Sequence, residues 1–212
     1  FSAIKSIFNS VAQKVTNFIG NSIQSIINFF TGSSGASNNQ ANATNMAAYS
    51  GGATSAAGAK NNETAIADSY GGHANPGQIP KGTVAIGGKT VTVAAATIPA
   101  WVALDAIVRK HGYPIRSAGG FNWRQKRGSS GMSMHAYGLA VDLNPSQNPM
   151  SKTFITDMPA AMVNEICALK TNNGVTIFNW GGHWSGTKDT MHYQINAMKG
   201  DMSTGIAGGK LV

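Results

Sequence analysis

The stretch SMHAYGLAVD, Ser133 to Asp142, places a histidine, His135, seven residues ahead of Asp142, with Gly138 between them. From Leu139 to Leu143 the side chains alternate. Leu139, Val141 and Leu143 fall on one face, and Ala140 with Asp142 on the other, the period-two pattern of a strand. This predicts a short strand that leaves Asp142 in a roomy, polar position beside the loop carrying His135. A second stretch, Asp189-Thr-Met-His192, runs into Tyr193-Gln194-Ile195 and sets His192 at the start of another strand.

Working outward, GTVAIGGKTVTV (residues 82–93) alternates and turns at Gly87-Gly88, a hairpin signal. Thr97 is placed to cap a helix with Pro99 in its first turn and an apolar face of Trp101, Leu104, Ile107 and Val108, ending before Gly112. Asp157 to Lys170, with Pro159 early, reads as a second helix. Further short strands are predicted at Tyr113 to Ser117, Leu139 to Leu143, Val175 to Phe178 and His192 to Ile195. Helices mixed irregularly with short strands give an α+β class, a small antiparallel sheet with flanking helices, rather than a regular βαβ array.

The organisation is tripartite. In residues 1–30 apolar side chains recur at three and four from Phe1 to Phe30, one face of an amphipathic helix whose other face is Ser, Asn, Gln and Lys. Such a helix can pack in a bundle, extend a longer helical protein or lie on a membrane; with two lysines, helical packing is favoured. Residues 31–80 form a low-complexity linker and the approach to the domain, rich in Ser, Asn, Ala and Gly, and His73 reads as a loop histidine. Residues 81–212 form the domain that carries chemistry. The first residue is Phe1, which reads as a processed product or a piece of a longer chain. No secretory signal pattern or spanning segment is visible.

Among 212 residues only 11% are charged and 26 are glycine, so the packed core is smaller than the chain. The net charge is +8; residues 1–62 hold three lysines and no acid, and the rest hold 13 basic and 8 acidic groups. A basic surface suits nucleic acid, anionic lipid or an anionic wall polymer, but no groove-reading or RNA-binding motif accompanies it, which argues against nucleic acid. Cys167 continues the Val163, Ile166, Leu169 pattern and reads as a buried thiol, with no partner for an internal disulfide or a CxxC site.

Two histidines and one carboxylate are a common catalytic zinc set, because three protein ligands leave a fourth position for water. A histidine followed by an aspartate also forms ordinary hydrogen-bonded pairs, and the helical HExxH arrangement is absent. Spacing alone leaves both readings open. The runs GGFNWRQKRGSSGMSMHAYGLAVDLNPSQNPM (residues 119–150) and NWGGHWSGTKDTMHYQ (residues 179–194) resemble the zinc D-alanyl-D-alanine carboxypeptidases of the VanY type and the L-alanyl-D-glutamate endopeptidases of phage lysins. The family pattern, SxHxxGxAxD followed by a WGG turn and DxxH, is met at Ser133, His135, Gly138, Ala140, Asp142, Trp180, Gly181, Gly182, Asp189 and His192. The resemblance spans about Thr97 to Ile195.

It implies a hedgehog or DD-peptidase-like fold, Zn2+ held by His135, Asp142 and His192, and Asp189 as the catalytic base. It implies that Arg124 holds substrate or a developing oxyanion, a role that a guanidinium fork suits. Arg116 and Arg127 compete for that role but read as surface charges. Ser133 is expected to orient the ligand loop, and Ser133, Trp180, Trp184 and His183 are expected around the substrate, with packing an equal reading for the tryptophans. Relatives often have an acid where His183 stands and a glutamate where Gln194 stands, so the surroundings of His192 are altered, and His183 reads as a spare base or a supporting group. The implied activity is hydrolysis of peptide bonds in peptidoglycan. The amphipathic segment and linker suggest a phage virion tail protein, such as the end of a tape-measure protein, acting at the cell wall or periplasm. Other tail proteins, self-association or membrane contact through residues 1–30 are the expected further partners. The competing reading is a non-catalytic scaffold stapled by zinc; an intact Asp189 argues against it.

Overall fold

The computed structural model describes residues 46, 48, 49, 63–72, 75–127 and 130–208. The amphipathic segment 1–30, most of the linker and His73 lie outside the described residues.

The hairpin forms as the alternation predicts, β1 (Lys81–Ile86) against β2 (Lys89–Ala94). Gly87 and Gly88 have φ of 53° and 78°, both in the left-handed region that a tight two-residue hairpin turn requires. The turn is held from the following helix, α2 (Ile98–Lys110), whose buried Asp105 accepts a 2.7 Å hydrogen bond from Gly87 N and pairs with Arg109 at 2.6 Å. Trp101, Leu104 and Val108 of α2 are wholly buried, as its pattern predicts. Thr97 does not cap the helix. Its hydroxyl instead donates to Ala94 O (2.8 Å) and accepts from Trp101 Nε1 (3.0 Å), tying the hairpin exit to the helix.

The central sheet is antiparallel in the order β3 (Ala118–Gly119), β4 (Ala140–Leu143), β8 (His192–Ile195), β6 (Phe178–Trp180). A two-residue ribbon, β5 (Met150–Ser151) with β7 (Lys188–Asp189), stands apart from it. Helix α3 (Ala160–Ala168) packs against α2 and β6. With α4 (Lys199–Ser203), these elements make the expected α+β arrangement of antiparallel sheets flanked by helices.

Three element boundaries differ from expectation. Tyr113 to Ser117 is not a strand, because its backbone is held by a side chain: Asn144 Oδ1 accepts from Arg116 N (2.7 Å) and Ser117 N (3.1 Å), and Asn144 Nδ2 donates to Pro114 O (2.9 Å). Strand β3 starts only at Ala118. Helix α3 begins after Pro159 because Asp157 is committed elsewhere, accepting from Tyr113 Oη, Arg116 Nη1 and Asn148 Nδ2. Residues 171–175 form a turn closed by Thr171 N to Val175 O at 2.9 Å, which delays β6 to Phe178.

The packed body also takes in residues that the composition assigns to linker. Helix α1 (Glu63–Ser69) buries Ile66 and Ala67, and Tyr70 Oη donates to Ala197 O. Further upstream, buried Tyr49 stacks on Trp180 with ring centroids 5.4 Å apart and donates to Met158 O at 2.6 Å. An isolated aromatic in a low-complexity stretch thus acts as an anchor. Cys167 is buried, and burial pushes its thiol up to about 12. No helix among the described residues is long and apolar enough to cross a membrane.

Candidate metal centre

Strands β4 and β8 are registered so that Asp142 lies directly opposite His192. Cross-strand partners share a face of the sheet and their side chains meet there. His135 arrives from the 3₁₀ turn Met134–Tyr137, which Ser133 caps by accepting from His135 N at 3.4 Å. The turn ends at Gly138, with φ of 71°. A Cβ there would stand 2.7 Å from Ala94 N, which donates to Gly138 O. Glycine therefore lets the ligand loop close onto β2 before the chain enters β4.

The three side chains converge atom to atom. Asp142 Oδ1 is 3.1 Å from His135 Nε2 and 3.0 Å from His192 Nδ1, and these two nitrogens are 3.2 Å apart. Two ligands of a tetrahedral zinc stand about 3.3 Å apart, given Zn–N and Zn–O bonds of about 2.0–2.1 Å. The remaining ring nitrogens are engaged away from the cluster. His135 Nδ1 lies 2.7 Å from Gly120 O, and because a carbonyl only accepts, Nδ1 carries the proton and Nε2 presents its lone pair inward. His192 Nε2 lies 3.0 Å from Gln194 Oε1. The donor set, its spacing and its outward hydrogen bonds fit zinc.

The three side chains also act on one another electrostatically. Burial alone would raise the Asp142 carboxyl, but the adjoining His135 and His192 override it and hold it well below the ordinary carboxylate range. For His192 burial acts to lower the pKa, and the Asp142 and Asp189 carboxylates outweigh it, leaving the imidazole raised.

Asp189 sits on β7, buried, with its Oδ1 lacking any hydrogen-bond partner among the described residues. Burial raises its pKa; of the surrounding charges, Asp142 adds to this, while His192, His135 and Arg124 oppose it. The WGG turn explains how this residue is held. A Cβ on Gly181 would stand 2.9 Å from Asp189 Cβ, and one on Gly182 would enter the Trp180 ring. Both glycines are close-packing positions.

A cleft of about 780 Å3 opens over the triad, lined among others by Arg124, Ser133, Asp142, Trp184 and His192. Trp184 places its ring 5.3 Å from that of His192 and donates Nε1–H to Asn179 Oδ1 at 3.1 Å. Of the residues expected around the substrate, two are engaged in packing. Trp180 is wholly buried, with its indole N–H donated to Thr190 O (2.8 Å), so it packs rather than touching substrate. His183 is absent from the cleft lining: a ring nitrogen bonds to Tyr49 O at 2.7 Å and its edge meets Trp180, and burial lowers its pKa. Ser133 lines the cleft but spends its oxygen on the ligand loop. Arg116 pairs with Asp157 at 3.0 Å, a structural use, and Arg127 stands exposed at the cleft wall.

The residues that sequence reading misses are Gly120, whose contribution is a backbone carbonyl, and Glu63, which lies in the stretch read as the approach to the domain. Gln194 is visible in the sequence as a departure but not as half of a hydrogen-bonded pair. Its Nε2 donates to Glu63 Oε1 at 3.0 Å.

Residues 127–195 match the family model described as D-alanyl-D-alanine carboxypeptidase. Comparison with curated proteins and with solved structures returned no match. The matched segment contains His135, Asp142 and His192, and carries a zinc-binding, D-alanyl-D-alanine carboxypeptidase-like catalytic module. The chain is a zinc-dependent peptidase directed at peptidoglycan-type substrates.

Proposed function

We propose that this peptidase cleaves an amide bond within the stem peptides or cross-links of peptidoglycan, with Asp189 as the base and Arg124 as the substrate-holding cation. The observation that carries this reading is the buried Oδ1 of Asp189, which lacks a hydrogen-bond partner among the described residues and whose carboxyl feels the charges of His192, Asp142 and His135, the three ligands that the described residues bring together. A site that only stapled the fold would have no use for that carboxylate. Zinc bound by His135, Asp142 and His192 supplies Lewis acidity, polarising the scissile carbonyl and lowering the pKa of water toward about 7. Asp189 takes a proton from the attacking water and returns it to the departing amine. Its raised carboxyl suits both duties. Arg124, at the cleft wall, offers a fork of donors to a carboxylate or to the oxygen that gains charge. Trp184 forms an apolar wall beside His192.

One reading is an internal bond, for which an extended peptide would lie across the cleft of about 780 Å3 over the metal site. A terminal D-Ala-D-Ala is the second reading, favoured by Arg124 and Arg127 on the lining, whose charges suit a free carboxylate. Digestion of purified peptidoglycan with mass spectrometry of the products separates them. Loss of a single terminal alanine marks the carboxypeptidase, and release of longer peptides the endopeptidase. No new peptide species from zinc-loaded protein would reject both.

The placement that best suits the whole chain is a phage tail, as the amphipathic sequence pattern of residues 1–30 and the low-complexity composition that follows it suggest. Its support is the organisation of residues 1–62 alone. Mass spectrometry of purified virions tests it: peptides from residues 81–212 are expected among tail proteins, and their absence would refute it.

A further inference from the structure

A metal-binding histidine must present one nitrogen bare and the other protonated, and the group touching the second nitrogen decides which is which. At His192 that group is Gln194 Oε1, 3.0 Å from Nε2. A glutamine amide is ambiguous here. Turned over, it would offer N–H to Nε2 and favour a proton on Nδ1, the nitrogen that faces Asp142 and the metal site. The ambiguity is removed by Glu63, the first residue of α1, whose Oε1 receives the Gln194 Nε2 at 3.0 Å. A carboxylate accepts only, so the amide nitrogen must face Glu63 and the amide oxygen must face His192. Lys126 pairs with the other oxygen of Glu63 and holds the carboxylate in place.

The strand geometry makes the chain of bonds possible. His192 and Gln194 are two apart on β8 and so share a face, and Gln194 lies opposite the small Ala140 on β4. Glu63 lines the same cleft as Asp142 and His192. It lies outside the matched segment 127–195.

We propose that Glu63 is a positioning residue of the metal centre: through Gln194 it fixes the protonated nitrogen of His192, so that Nδ1 is delivered bare to the zinc. The inference rests on the zinc reading above. Helix α1 is then part of the metal site as well as of the core.

The test uses the full chain. Zinc affinity is measured by competition with a chromophoric chelator for wild type, Glu63→Ala and the double variant Glu63→Ala/Gln194→Glu. In zinc-loaded samples the His192 Nε2–H proton is followed by NMR for its exchange with water. Glu63→Ala is expected to weaken zinc binding about tenfold, the lower end of the effect of losing a group that supports a ligand, and to speed Nε2–H exchange. The double variant puts a carboxylate directly on Nε2 and is expected to recover affinity to within about threefold of wild type. A merely structural role for α1 would not be rescued in this way. Affinity within about twofold of wild type with unchanged exchange in Glu63→Ala, or a loss that Gln194→Glu does not repair, overturns the proposal. Should Glu63→Ala fail to fold, the wild-type proton decides: a His192 Nε2–H that exchanges as fast as a solvent-exposed imidazole N–H overturns the proposal, and a protected one supports it. A wild type that binds no zinc defeats the zinc reading itself, a separate failure.

Discussion

Replacing Gly138 by alanine isolates the part of the fold that delivers His135. Two costs add at this position. The left-handed backbone, φ 71°, costs any residue with a Cβ about 1–2 kcal/mol. The new methyl would also stand 2.7 Å from Ala94 N, in the hydrogen-bonded approach of β2 to the ligand loop, and overpacking of that kind costs about 1–3 kcal/mol. The sum is a loss of about 2–5 kcal/mol. Gly174 provides the internal control, with φ of 87° and nothing within 4 Å of the point where a methyl group would stand. Gly174→Ala should lose only the backbone part, about 1–2 kcal/mol. Urea denaturation of the metal-free proteins measures both. Because the clash displaces the turn that ends in Gly138, Gly138→Ala should also bind zinc more weakly, whereas Gly174→Ala should not. Equal destabilisation by the two substitutions, or unchanged zinc affinity in Gly138→Ala, would refute the argument that this glycine sets the ligand loop.

Asp142 and Asp189 should give opposite pH signatures in the metal-free protein. The depressed Asp142 carboxyl contributes stability that is present above the ordinary carboxylate pKa of about 4 and is lost as pH falls toward its folded value, so urea midpoints measured down the acid range should fall less steeply for Asp142→Asn than for wild type. The raised Asp189 carboxyl works the other way, its contribution being full below about pH 4 and lost as pH rises through the folded value; Asp189→Asn should therefore be more stable than wild type at neutral pH. Cys167, with its thiol pushed up to about 12 and buried, should react with a thiol reagent only on unfolding, which a reaction in native buffer at the rate of a free thiol would contradict. Asp105→Ala leaves Gly87 N without its buried acceptor and should cost about 1–3 kcal/mol by urea denaturation, with zinc affinity unchanged.

Much of this site is legible in the chain because strands leave a simple trace. The alternation from Leu139 to Leu143 and the order His135, Asp142, His192 mark which side chains share a face. The register that sets Asp142 opposite His192 leaves no such trace. Nor does the carbonyl of Gly120, since a backbone acceptor has no residue type to recognise. For Trp180 substrate contact and packing read equally in the sequence; it packs, and the glycines are small so that its indole and Asp189 can be packed against them. Thr97 occupies the capping position but answers to Trp101 and Ala94 instead, a tertiary demand that local pattern does not encode. Tyr49 and Glu63 fall where composition suggests linker. Their burial and bonding arise from contacts more than a hundred residues away in sequence, to Met158 and Gln194.

The central claim is that the triad binds the metal while Asp189 moves the proton, and one paired measurement separates the two. Zinc stoichiometry and the rate at which new amino groups appear in purified peptidoglycan are measured for wild type and for Asp189→Asn. Both proteins should bind one equivalent of zinc. Wild type should release amino groups, and Asp189→Asn should do so about 10²–10⁴-fold more slowly, the usual worth of a positioned acid–base group. Zinc-loaded wild type that releases none, or an Asp189→Asn variant that keeps the wild-type rate, would contradict the account.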